Sequence, residues 1–149
     1  MIRDLAFPLS IAAMFATTPA FAGDLLVGNK SADTVWRLST KDGTRVGEFA
    51  TGQGPHEIVV SRDNRFALVS NYGGTTPGRS ITVLEFGKPG ATRTIDLGDN
   101  AKPHGMRLLP GSKRAVVTTE GSRKLLLVVV AGARVEHAID LVDGRGHIV

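Results

Sequence analysis

From residue 25 onward the apolar positions come in short runs separated by clusters of Gly, Pro, Asn, Asp and Ser, and no segment beyond residue 22 shows helical periodicity. These runs predict strands over 25–28, 34–38 and 45–50, then 57–61, 66–71, 81–83 and 92–97, then 105–109, 115–119, 125–131 and 135–141. Ser61-Arg62-Asp63-Asn64 and Pro110-Gly111-Ser112 carry side chains that reverse a chain, by bonding their own backbone or by tolerating positive φ. The seven apolar residues of 125–131 are too few to span a bilayer and too rich in valine to prefer a helix, so they read as a strand buried on both faces.

The pattern repeats. Pro55-His56 returns as Pro103-His104, an offset of 48 residues, and Ile58, Val60, Ala67, Leu68, Val69, Ser70, Asn71 and Gly73 align without a gap on Met106, Leu108, Ala115, Val116, Val117, Thr118, Thr119 and Gly121. Leu26-Val27-Gly28-Asn29 anticipates Leu68-Val69-Ser70-Asn71 by 42 residues, and Ile95-Asp96-Leu97 returns as Ile139-Asp140-Leu141 after 44. A period of roughly 40–45 residues holding several short strands is that of a propeller blade. The expected fold is therefore all-β, built of β-propeller blades of four antiparallel strands. The first blade lacks its innermost strand, and Gly146-His147-Ile148-Val149, which resembles the opening of a further blade, is expected to dock Ile148 and Val149 on it. Residues 23–149 hold about three blades, whereas closed propellers have about 4–8, so the expected assembly is a partial or open propeller. Its uncovered end blades imply either a homo-oligomer that completes the ring or a truncated piece of a longer chain.

Residues 1–22 read as a secretory signal peptide: Arg3, an apolar stretch over 5–15, then Ala20-Phe21-Ala22 as a small-x-small cleavage site. Pro8, Thr17, Thr18 and Pro19 interrupt it too often for a membrane anchor, and no span is expected after cleavage. The mature chain is expected to be periplasmic or secreted. The absence of cysteine excludes disulfides, a lipidated N-terminal cysteine and a covalently held c-type haem. A formal charge of +4 is spread among acidic residues with little aromatic interleaving, which argues against nucleic acid as a partner.

Chemistry is sought on the inner strands and their rim. His56, His104 and His147 share one repeat position, where three imidazoles on a ring suggest a metal site, but a histidine that recurs at a blade start reads first as a hydrogen-bonded turn residue. No metal and no cofactor are expected from it. Where repeats disagree, a residue is free to serve something other than architecture: Glu57 stands opposite Gly105, and Arg107 opposite Val59. Asn71, Tyr72 and an insertion over 73–78, four residues longer than its counterpart after Glu120, would form a rim loop. The candidate ligand-binding residues are thus His56, Glu57, Asn71, Tyr72, His104 and Arg107, suited to an unidentified protein or a small polar ligand through charge-assisted hydrogen bonds. His137 reads as solvated and Trp36 as blade packing. No Gly-x-Ser-x-Gly, P-loop, His-Glu-x-x-His or Cys-x-x-Cys motif is present.

The stretch from Gly54 through Asn71, with Pro55-His56, the apolar pair Ile58 and Val60, Ser61-Arg62-Asp63-Asn64 and Leu68-Val69-Ser70-Asn71, resembles the repeat of the YVTN-type β-propellers. That repeat runs Gly-x-x-Pro-His, apolar strand, Ser-Pro-Asp-Gly, Tyr-Val-(Thr/Ser)-Asn, and 33–38 is similar to its next strand. Arg62, Asn64, Leu68, Thr119 and Gly146 depart from it. The resemblance covers nearly all of 23–149 and implies an exported propeller, one of a group in which many members have no established activity. Wider relatives include lactonases and dehydrogenase-associated subunits. The reading is a non-catalytic binding or interaction module, with a lactonase-like or dehydrogenase-associated enzyme, or a fragment without independent function, as alternatives.

Overall fold

The computed structural model describes residues 23–149 apart from 89, 143, 145 and 148. The leader assigned to 1–22 and the docking assigned to Ile148 lie outside the described residues. Eleven strands form three antiparallel sheets. The first holds β1 (Asp24–Asn29), β2 (Thr34–Ser39) and β3 (Arg45–Ala50) in the order β1-β2-β3. The second holds β4 (Pro55–Val60), β5 (Phe66–Gly73), β6 (Pro77–Glu85) and β7 (Thr92–Asp96), and the third β8 (Pro103–Leu108), β9 (Arg114–Thr119), β10 (Lys124–Val129) and β11 (Arg134–Asp140), each as a meander. No helix occurs among the described residues, and so none there is long and apolar enough to cross a membrane.

The middle sheet is packed on both faces. Alternation along its strands sends Ala67, Val69 and Leu84 against Val35 and Phe49 of the first sheet. Leu68, Ile81, Val83 and Ile95 go the other way, against Ala115, Val117, Leu126 and Val128 of the third. The outer sheets are packed on one face only. On β10, Leu126 and Val128 are fully buried, whereas Leu125, Leu127 and Val129 are half-buried on the side that lacks a neighbour. Burial of 125–131 on both faces is therefore corrected: an unbroken apolar run also suits an end blade whose second face is open. Trp36 is corrected likewise. It lies on the outward face of the first sheet, 37% exposed, with the Arg45 guanidinium 5.0 Å from its ring centroid.

Turn residues follow the chemistry expected of them. Ser61, almost fully buried, receives hydrogen bonds from the backbone N–H groups of Arg65 and Phe66 and donates to Asp63 Oδ1 at 2.7 Å. Asn64 and Ser112 stand at φ 54°, the position that the resembling repeat fills with glycine. The insertion after Tyr72 is no separate loop, since it lengthens the β5–β6 hairpin and leaves only 74–76 outside the strands. That crossing needs Gly78, where a Cβ would stand 1.9 Å from the Asn71 carbonyl oxygen.

Candidate functional site

The start of each inner strand is bulged. Pro55 pairs with Asn71 and Ile58 with Val69, so two residues on β4 face one on β5; Pro103–Thr119 and Met106–Val117 repeat the mismatch on β8 and β9. A bulge re-aims the side chain it carries, and here the bulged stretches hold His56-Glu57 and His104-Gly105. The ladder bond lost at each bulge is replaced by a hydroxyl from the neighbouring strand. Glu57 N–H donates to Ser70 Oγ at 2.9 Å and Gly105 N–H to Thr118 Oγ1 at 3.0 Å. Ser70 and Thr118 are a repeat-equivalent pair, so the device recurs with the blade.

The result is a row of three imidazoles at one mouth. The His56 and His104 ring centroids are 4.2 Å apart, and those of His104 and His147 4.1 Å. His147 thus stands where a further inner strand would begin. Its carbonyl accepts from Gly105 N–H and from the Thr118 hydroxyl, both at 3.2 Å, which places it against the third sheet. The first sheet has no innermost strand among the described residues. The reading of these histidines as hydrogen-bonded turn residues is corrected for His104, whose Nδ1 is buried without a hydrogen-bond partner.

Beside the row stands a second triplet. Lys30, Tyr72 and Glu120 hold one repeat position, each following Asn29, Asn71 or Thr119 at the ends of β1, β5 and β9, and they meet side by side. Tyr72 donates its hydroxyl to Glu120 Oε2 at 2.7 Å, and its ring lies 5.2 Å from His56 and 5.8 Å from His104. Lys30 Nζ is 5.2 Å and Lys102 Nζ 5.3 Å from the centre of the Tyr72 ring. The other carboxylate oxygen of Glu120 sits 2.5 Å from His147 Nδ1. Contacts from His147 first, then Tyr72, hold the Glu120 carboxyl below its usual range. Burial, then the charges of His104 and Lys30, hold the His56 imidazole below its ordinary value.

Of the residues singled out from the sequence, His56, Tyr72 and His104 converge at this mouth, and Glu57 flanks it with Oε1 3.8 Å from His56 Nδ1. Asn71 does not join them. It is buried, and its amide is spent on Ser80 Oγ at 2.9 Å and Thr82 Oγ1 at 3.0 Å within the middle sheet. Arg107 is exposed three residues further along β8, roughly 10 Å from the row at the rise of a strand. Glu120 and Lys30 were missed, although comparing their repeat position, which carries Lys, Tyr and Glu in turn, would have found them. An open groove of about 810 Å³ was also missed; it lies at the opposite strand ends, with Arg37, Arg65, Arg93 and Lys113 around Phe66 and Phe86.

No protein-family model matches the chain, and no curated protein does. Solved structures do. Kuenenia stuttgartiensis hydrazine synthase superposes with a TM-score of 0.68 at 23% identity over 78% of this chain and 33% of that one. U3-55K and the RRP9 WD40 repeats each superpose with a TM-score of 0.63 at 13% identity over 78% of this chain, covering 36% and 35% of theirs. The chain therefore spans about a third of the length of these matches, and what it shares with them is the propeller-type fold.

Proposed function

We propose that the chain is a non-catalytic binding module, made of YVTN-type propeller blades, that takes a polar ligand or a partner protein at the mouth where the inner strands begin. The observation that carries this is the meeting of two repeat positions at one place: the bulged histidines, and the triplet Lys30, Tyr72 and Glu120, which differs in every blade. Architecture alone asks for the same residue in each repeat. Three different side chains, one cationic, one aromatic and one anionic, arranged in contact are what recognition of a polar group needs. A propeller-type fold whose similar structures include WD40 repeats is consistent with such a role.

The test is to label the full chain with ¹⁵N and titrate it with a library of polar fragments and with one acidic and one basic decapeptide. Shifts gathered on 54–57, 72–78, 102–105 and 120–122 are expected. Shifts confined to the turns 61–65 and 110–113, around the basic groove, would overturn the reading.

Export to the periplasm or beyond, after cleavage near residue 22, belongs to the same proposal; N-terminal sequencing of the protein recovered outside the cytoplasm tests it. So does completion of the ring by a second copy. Leu25 at 54% and Trp36 at 37% exposure on one end face, and Ile139 at 57% on the other, are the surfaces it would cover. Light scattering that finds only monomer would remove that element.

A further inference from the structure

Two groups at the mouth have the composition of a metal site. In His56, Glu57 and His104, and again in His104, Glu120 and His147, one ligand atom from each residue lies within 4.8 Å of the others. His104 belongs to both, is 4% exposed, and keeps its Nδ1 without a hydrogen-bond partner. Burying an unsatisfied imidazole nitrogen is costly, so a second, independent feature points to an electron-pair acceptor. The second group is the better prepared. Its carboxylate is already oriented by the Tyr72 hydroxyl, the outer support that metal-ligating carboxylates have.

We propose that His104, Glu120 and His147 bind one divalent transition ion of the Zn²⁺ or Cu²⁺ class, with His56 on the side from which a fourth ligand is available. The inference rests on the mouth being the functional face and names what is held there. Imidazole and carboxylate donors without thiolate suit Zn²⁺, Cu²⁺ and Ni²⁺, whereas Ca²⁺ asks for about 6–8 oxygens. Ligand atoms on a tetrahedral ion of bond length about 2.0–2.1 Å stand about 3.4 Å apart, so the Glu120–His147 contact, now 2.5 Å, must open by roughly 1 Å as the ion enters. His147 supplies that movement, since its side chain is 65% exposed. An ion there would also tie the third blade to the tail, and His56 as fourth ligand would add the second blade.

The experiment uses the full chain, stripped with a chelator and titrated calorimetrically with ZnCl₂, CuCl₂ and CaCl₂. One Zn²⁺ or Cu²⁺ per chain and no Ca²⁺ are expected. His147→Ala and Glu120→Gln should each weaken binding at least about tenfold, and Tyr72→Phe, which removes only the outer hydroxyl, by about 10–100-fold. His137→Ala, on exposed β11, should leave it unchanged. His104→Ala removes a buried ring, so the exposed His147 carries the test if that variant does not fold. Absence of one-to-one binding, or binding indifferent to both His147→Ala and Glu120→Gln, would overturn the site. If fragments still shift the mouth while the metals do not bind, the metal site falls alone; if the metals bind and the fragments shift the opposite groove, the binding-module reading falls alone.

Discussion

Ser70→Ala isolates the device that sets the mouth. Ser70 is fully buried, and its hydroxyl is the acceptor for Glu57 N–H at 2.9 Å, the donor that the β4 bulge removes from the ladder. The substitution takes away one oxygen and no methylene, so the packing loss is small and the unsatisfied N–H dominates. A partly buried donor left without its partner costs about 1–2 kcal/mol, a sizeable share of the roughly 5–15 kcal/mol that holds a domain together. At about 4 °C per kcal/mol for a chain of this size, the melting temperature should fall by about 4–8 °C. Urea unfolding with an unchanged m-value checks the energy, and the imidazole resonances of His56 check its position. Ser70→Thr restores the hydroxyl in the form used by Thr118 and should recover most of the loss. A cost under about 0.5 kcal/mol, the range of ordinary surface substitutions, would refute the argument that the hydroxyl supports the bulge.

Leu126→Ala should cost about 2–5 kcal/mol because Leu126 is sealed between two sheets, and Leu125→Ala no more than about 1 kcal/mol, since its face is open; equal losses in urea melts would mean that the outer face is covered. Asn71→Ala strips the Thr82 and Ser80 hydroxyls of their shared amide and should cost about 2–3 kcal/mol by thermal unfolding without altering fragment binding at the mouth. The Ser61 hydroxyl, then the backbone of Arg65, hold the Asp63 carboxyl below its usual value, so its stabilisation is fully present above the unfolded value and lost as pH falls through the depressed one. Melting temperatures of Asp63→Asn should therefore decline less steeply than those of the parent between about pH 5 and 3.

The strands were legible because Gly, Pro, Asn and Asp punctuate them, and the blade was legible because Pro-His returns at a fixed offset. The first residues of β4 and β8 were less so. A bulge adds a residue without changing composition, so nothing in Pro55-His56-Glu57 distinguishes a regular start from one that turns an imidazole toward its neighbour. Glu120 was hidden for another reason: its partners Tyr72 and His147 are 48 and 27 residues away. Only the stacking of blades brings them together. Nor could the run 125–131 disclose its surroundings, since the same residues that fill a closed interface also line an open one.

Because only the middle blade among the described residues has neighbours on both faces, stability should grade along the chain. Each blade of a stacked array gains from its neighbours alone. The amides of β5 and β6 should then exchange with solvent most slowly, while the first and third sheets open as units without unfolding the rest. The mouth straddles that gradient. His56 and Tyr72 stand on the durable blade, whereas His104, Glu120 and His147 ride on one that can part from it. Anything that grips both sides acts as a latch, and its occupancy will be read in how long the third blade stays shut.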